Sequence, residues 1–271
     1  MKTCIILAGL FTVALSAQTF AYIEKKELRL GTEGLESLVI QSGPGELRVL
    51  GAKTEGILVE AEIEVRGLSD EDAQDFIAED IELRLRKEGN AARLKSDIRE
   101  GFWKKLKAAV HLTVRVPDRL LLDIEDGSGS VGLEEIMGPI RLRDGSGSVR
   151  IRGATGGLSI VDGSGEIAVG NARGRLDIND GSGDIDIRSA AGPVVIEDGS
   201  GSITVTNVDG DLEIRDESGS ITVQRVSGSV RVRDGSGSMD IRGVGKDVIV
   251  ERDSSGSRRI SDVGGSIREQ E

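Results

Sequence analysis

DGSGSVRIRGATGGLSIVDGSG, residues 144–165, holds one complete repeat and the opening of the next. The aspartate that begins each copy falls at 126, 144, 162, 180, 198, 216, 234 and 253, a spacing of 18 with one extra residue before the last. A fixed period of this kind marks a repeat architecture. Within the quoted copy, Val149 and Ile151 alternate with polar residues, and nine residues on Leu158 and Ile160 do the same. The following copies supply Ile167, Val169, Leu176 and Ile178, then Ile185, Ile187, Val194 and Ile196, then Ile203, Val205, Leu212 and Ile214. Alternation at period two is the signature of a half-buried strand. Each run begins two residues after a glycine, as at Gly147 and Gly156, so the phrase Gly-x-aliphatic-x-aliphatic is written twice per copy. Ala154, Ala172, Ala190, Val208, Val226 and Val244 fall between the two runs and are expected to point inward at a corner.

This pattern predicts an all-β chain, a parallel β-solenoid with about 18 residues and two main strands per coil. One coil cannot stand alone, because its few buried aliphatics do not offset the entropy lost in ordering every residue of the turn. Stacking supplies the difference: each strand pairs with the coils above and below, about 4.8 Å away, and the aliphatics merge into one column. A doubly wound α/β fold is excluded, since a nine-residue half-repeat cannot hold a strand and a crossover helix.

The Asp-Gly-Ser-Gly phrase reads as a corner. Glycine admits positive φ and close passage of the neighbouring coil, while Asp and Ser side chains satisfy turn backbone groups that have no strand partner. Stacking then aligns Asp126, Asp144, Asp162, Asp180, Asp198, Asp216, Asp234 and Asp253 in a file of like charges. Neighbouring Arg143, Arg215 and Arg233, or a cation, are the candidates for relieving that repulsion. Calcium is the weaker reading. Calcium-binding β-rolls place Asp after the glycines and on both sides of the roll, and calcium takes about six to eight oxygens.

Composition narrows the rest. Aromatics are 2% of the chain, so Val, Ile and Leu must form the core, and 38 glycines with 4 prolines suit many tight turns. A net charge of −12 argues against nucleic acid or an anionic membrane as partner. Lys2, the apolar stretch 4–15 and the small residues of SAQTFA read as an export signal over 1–21, with cleavage after Ser16, Ala17 or Ala21. The sole cysteine, Cys4, lies inside that segment, so no disulfide, cysteine metal site or cofactor is expected in the exported chain. Residues 22–125 form a less regular N-terminal β region, and 126–271 carry the regular repeats. In the former, GELRVL (45–50) repeats the strand phrase and ILVEAEIEVR (57–66) alternates as a longer strand. Ser69-Asp70-Glu71-Asp72 opens a helix to about Glu79, and Glu88-Gly89-Asn90 turns a hairpin. The final copy puts Arg258 and Glu269 where aliphatics stand in earlier copies, as a polar cap.

Catalytic chemistry fails on inventory. His111 is the only histidine, and no serine sits in a Gly-x-Ser-x-Gly elbow, so Ser146 and Ser164 read as turn residues. Gly245-Lys246-Asp247 lacks the hydroxyl of a phosphate loop. Outward carboxylates such as Asp184, Asp186, Asp211 and Glu213 read as a solvated face. Asp123 should stack near Arg141, Glu125 near Arg143 and Glu213 near Arg231, fixing register through opposite charges. GFWKKLKAA (101–109) is basic within an acidic protein and holds the only tryptophan. Phe102, Trp103, Lys104, Lys105 and Lys107 are therefore the candidate contact surface, set against a covering of the first coils with the rings buried.

The Gly-rich turn followed by two aliphatics, the lead-in HLTVRVPDRLLLDIEDGSG, the N-terminal strand and helix insertion and the export signal together resemble the bacterial putative-adhesin family of unknown function over roughly 36–268. The resemblance implies a parallel β-helix exported to the bacterial envelope, in the periplasm, at the surface or beyond it, with no catalytic residues to carry over. Two functions stay open: a non-enzymatic, monomeric scaffold binding an envelope protein or glycan along its side, or a β-helix enzyme acting on acidic polysaccharide, which would need a groove of clustered Arg, Lys and carboxylates.

Overall fold

The computed structural model describes residues 21–99, 107–253 and 256–269. The chain opens with β1 (Ala21–Gly31), β2 (Ser37–Ser42), β3 (Gly45–Ala52), β4 (Gly56–Arg66), α1 (Asp70–Asp80), β5 (Ile81–Glu88), β6 (Ala91–Ile98), β7 (Lys107–Pro117) and β8 (Leu121–Asp126). Then two kinds of strand alternate. After β9 (Gly129–Glu134), β10 (Ile140–Asp144), β11 (Gly147–Arg152), β12 (Leu158–Asp162), β13 (Ile167–Arg173), β14 (Leu176–Asp180), β15 (Ile185–Ala191) and β16 (Val194–Asp198) come β17 (Gly201–Asp209), β18 (Leu212–Asp216), β19 (Gly219–Val226), β20 (Val230–Asp234), β21 (Gly237–Val244), β22 (Val248–Asp253), β23 (Arg258–Val263) and β24 (Ile267–Glu269).

These strands make two 12-stranded sheets, one ordered β1-β4-β7-β3-β9 and then through the odd strands to β23, the other running from β24 through the even strands to β8 and on to β2-β6-β5. From β8 onward every pairing within a sheet is parallel and displaced by one repeat: Val149 lies on Ile167, Ile167 on Ile185, and Leu158 on Leu176. The solenoid expected from the period is therefore present. Val149, Ile151, Leu158, Ile160 and their equivalents are buried, and the small corner residues Ala154, Ala172, Ala190, Val208, Val226 and Val244 point inward at 1–4% exposure.

One residue before each small corner residue the backbone turns left-handed, at Glu135, Asn171, Ser189, Asn207 and Arg225 with φ of 54–64°, and through glycine at Gly153 and Gly243. The Asp-Gly-Ser-Gly corner is tighter. At Gly183 φ is +146°, and a Cβ there would stand 1.6 Å from the carbonyl oxygen of Gly165 in the coil below. Only glycine lets adjacent corners approach to strand-pairing distance.

The N-terminal region joins the same two sheets. β2 and β3 pair in parallel with β8 and β9, so coiling starts at residue 37. Ser42-Gly43-Pro44-Gly45 takes the place of the corner phrase. The long strand expected over 57–66 is β4, which pairs antiparallel with β1 and β7, and the hairpin forms between β5 and β6 about Gly89-Asn90. Ser69 caps α1, its Oγ accepting the Asp72 amide, and the helix buries Ala73, Phe76 and Ile77. Among the described residues no helix is long and apolar enough to cross a membrane. Residues 1–20, which carry almost all of the expected export signal, lie outside the described residues; Ala21 opens β1.

At the far end, Arg258 and Glu269 stand over Met239 and Val250 and meet at 2.8 Å, linking the two sheets across the last coil. The extra residue before Asp253 is taken up as a register shift between Val232 and Arg233 against β22.

Gly183→Ala is expected to abolish or severely destabilise folding, whereas Gly170→Ala, where the nearest atom to an added Cβ is 3.9 Å away, should change stability by less than about 1 kcal/mol in urea denaturation. Ile187→Ala, at a fully buried position, should cost about 2–5 kcal/mol by the same measurement.

Candidate functional site

The aspartate file is the most distinctive chemical feature of the fold, and it lies inside. Each member closes a strand of the second sheet with the pattern aliphatic-x-aliphatic-x-Asp, as in Leu176-Asp177-Ile178-Asn179-Asp180. Period two then puts the carboxylate on the same face as the two aliphatics. Asp126, Asp144, Asp162, Asp180, Asp198, Asp216 and Asp234 are exposed by only 0–6%. They stack in register, Asp126 on Asp144, Asp144 on Asp162, and onward to Asp234 and the backbone of Asp253. The expected alignment holds, and the structure adds that the carboxylates belong to the interior.

At Asp162, Asp180, Asp198 and Asp216 the corner fixes one carboxyl oxygen. The amides of Ser164, Ser182, Ser200 and Ser218 donate to Oδ1 of the aspartate two residues earlier at 3.0–3.3 Å. This is an Asx-type turn, closed by the backbone amide two residues on. The Oδ2 atoms of Asp162, Asp180, Asp198 and Asp216 are buried without a hydrogen-bond donor. At the base of the file Ser42 occupies the aspartate position, and its Oγ donates to Asp126 Oδ1 at 2.5 Å. Ser96, one residue beyond the Gln41–Lys95 pairing of β2 with β6, is the remaining buried polar side chain there.

Burial penalises these charges first, and neighbouring charges second. Asp144, Asp180 and Asp216 are pushed up to about 6, by desolvation and by the aspartates above and below. Asp126, Asp162 and Asp198 are raised as well, chiefly by burial.

Two of the arginines expected to neutralise the file, Arg143 and Arg215, pair with outer carboxylates instead. Arg143 reaches Asp123 and Glu125 on the outer face, both at 3.7 Å, and Arg215 pairs with Glu197 and Glu213. The expected stacking is present, Asp123 opposite Arg141, Glu125 opposite Arg143 and Glu213 opposite Arg231, while the ion pair of Arg231 is with Glu251 and that of Glu213 with Arg215. Arg215 and Arg233 do line a shallow groove of about 630 Å³ along the corner, beside Asp180, Asp198 and Asp216.

A calcium reading of Asp126 to Asp234 meets a geometric obstacle. Each level of the file offers one inward carboxyl, with one oxygen given to a backbone amide at Asp162, Asp180, Asp198 and Asp216. Among the described residues no three His, Cys, Asp or Glu side chains converge as a metal site. The remaining sequence candidates are dispersed. Phe102, Trp103, Lys104 and Lys105 lie outside the described residues, and Lys107 opens β7 opposite Arg66. His111 Nδ1 accepts the Glu46 amide at 3.2 Å, and its Nε2 stands 3.9 Å from Glu64. Asp247 accepts the Ser266 amide, a corner role rather than a phosphate loop.

No family model and no curated protein matches the chain. Among solved structures it is similar to a "putative cell adhesion protein" from Clostridium sporogenes, with 9% identity over 92% of this chain and 99% of that one, at a TM-score of 0.30. A "putative adhesin" from Bacteroides fragilis is 12% identical over 92% and 97% of the two chains, with a TM-score of 0.31. A "putative lipid binding protein" from Parabacteroides distasonis is 13% identical over the same shares, with a TM-score of 0.39. Likeness at this level carries no statement about activity.

Calcium at millimolar concentration, or a chelator, is expected to leave the thermal unfolding midpoint of the chain unchanged. A chelator-induced drop of several degrees would place an ion in the file.

Proposed function

We propose that the chain is a non-enzymatic, exported β-solenoid that acts as an adhesin-like scaffold, binding a protein or glycan of the cell envelope along the side of its coil stack. The observation that carries this reading is how the outward side chains are arranged. On both sheets they stand in straight columns at strand spacing, and several of their cations pair with carboxylates of the same or the next coil. Arg175 pairs with Asp177, Arg188 with Asp186, Arg242 with Asp240 and Arg150 with Glu166. Exposed pairs of this kind contribute little stability each, and the corner groove that Arg215 and Arg233 line also carries Asp180, Glu197, Asp198, Asp216 and Glu217, so its lining is more acidic than basic. An enzyme acting on acidic polysaccharide would need a basic cleft with an acid and a base converging on it.

The side faces are also chemically uneven. On the first sheet, Ser202, Thr204, Thr206, Ser220, Thr222 and Gln224 form two uncharged rows within a chain whose charged residues are 30%. Flat rows of hydroxyl and amide groups suit hydrogen bonding to a glycan or to peptide backbone. Export is supported by the charged, apolar and small-residue order of 1–21.

The test is retention of the purified chain on envelope fractions. Wild type is expected to bind saturably, and Thr204→Arg with Thr222→Arg, or Ser159→Arg with Val161→Asp on the other sheet, to weaken binding at least tenfold while leaving the unfolding midpoint in place. Retention indifferent to both double variants, or release of new reducing ends from an acidic polysaccharide, would overturn it.

A further inference from the structure

We propose that the aspartate file is a proton ladder: in the folded chain Asp144, Asp180 and Asp216 are carboxylic acids that donate hydrogen bonds to ionised Asp126, Asp162, Asp198 and Asp234, so that mild acid tightens the solenoid.

Geometry carries the inference. Seven carboxyls are buried in one column at strand spacing of about 4.8 Å, and Asp180, Asp198 and Asp216 meet solvent only at the wall of the corner groove. At Asp162, Asp180, Asp198 and Asp216 the corner amide satisfies one oxygen and leaves the other buried without a donor. A buried acceptor without a donor is costly, and two adjacent ionised carboxylates are more so. One proton on every second member removes both costs. Three protons over seven aspartates leave no two ionised neighbours, and each acid's O–H finds an acceptor in the next coil.

Ser42 sets which members carry them. Its Oγ donates to Asp126, so Asp126 is held as an acceptor. Asp144 stacks directly on Asp126 and both of its carboxyl oxygens are buried without a hydrogen-bond partner, which makes Asp144 the first donor. Alternation then assigns Asp180 and Asp216. These three are the members raised to about 6, by burial first and by the charges above and below second.

Few other groups face the file. Ser42 stands at its base, the Ser and Gly amides stand at each corner, and Asp184 of the neighbouring corner adds a like charge toward Asp198. Arg143 and Arg215 are engaged on the outer face, and Arg233 lines the groove beside the file.

The direction of the pH effect follows from linkage. These carboxyls hold protons more tightly folded, at about 6, than at their ordinary value of 3.8. Between those values the folded chain binds more protons than the unfolded one, so stability rises as pH falls through about 6 and is lost again as pH climbs past it. Most proteins lose stability over that interval as salt-bridged carboxylates are protonated.

The experiment is urea denaturation of the full chain between pH 8 and pH 4.5, read beside the infrared carbonyl band of un-ionised carboxylic acid in the folded protein. For wild type the unfolding constant should fall with pH, by up to about tenfold per pH unit for each linked proton, and the acid band should be present at pH 6. In the triple variant Asp144→Asn, Asp180→Asn, Asp216→Asn, whose amides donate as the acids do, the acid-side stability should persist at pH 8 and the band should vanish. Asp180→Asn alone, expected to remove about a third of the band, serves if the triple variant does not fold. A wild-type midpoint that is flat or falls on acidification, an absent acid band, or calcium restoring at pH 8 the stability seen at pH 5 would overturn the ladder.

Discussion

Parallel, in-register stacking of successive eighteen-residue coils is the constraint on which every other feature rests. It turns one sequence position into a column: aliphatics into a continuous core, glycines into a line of close backbone approaches, outward charges into cross-coil pairs. The backbone imposes the spacing, since strands pair at about 4.8 Å. The corner residues must fit within it, which is why a Cβ at Gly183 would run into the carbonyl of Gly165. A side chain there would force two coils apart and break the pairing of both sheets at once.

The same stacking creates the tension at the aspartates. A repeat with one inward acid becomes, once wound, a buried line of seven carboxyls in the described chain. A polar column in an otherwise aliphatic core carries information, because sliding a strand by one residue would put a carboxylate among isoleucines. Buried polar groups that specify alignment at some expense of stability are known from other repeating structures. Here the corner amides, Ser42 and shared protons limit that expense.

Much of this was legible in the sequence. The period gave the coils, the two Gly-x-aliphatic-x-aliphatic phrases gave two sheets, Ser69 gave the start of α1, and Arg258 with Glu269 gave the polar end. What sequence reading left unassigned was the side of the sheet on which the aspartates lie. Taking Asp as the first residue of a turn hides that it is also the last inward residue of a strand, two positions beyond Ile160 or Ile178. Counting parity backward from the aspartate, rather than forward from the glycine, reveals the burial. Ser42 was harder to find, because its corner reads Ser-Gly-Pro-Gly and announces itself only once β2 lies beneath β8. Charge partners were legible to the level of columns but not of individual pairs, since Arg215 and Arg231 each choose among several carboxylates within reach.

The one-residue misfit before Asp253 shows how such a chain can change length over generations. It is absorbed by a local irregularity against β20, and only β23 and β24 follow it among the described strands. A similar slip in the middle would unseat every downstream column, whereas duplication or loss of a whole unit would leave all of them intact. Gene rearrangements that add or remove complete coils are therefore the tolerated route to taller or shorter forms, and single-codon insertions should collect near the final turn.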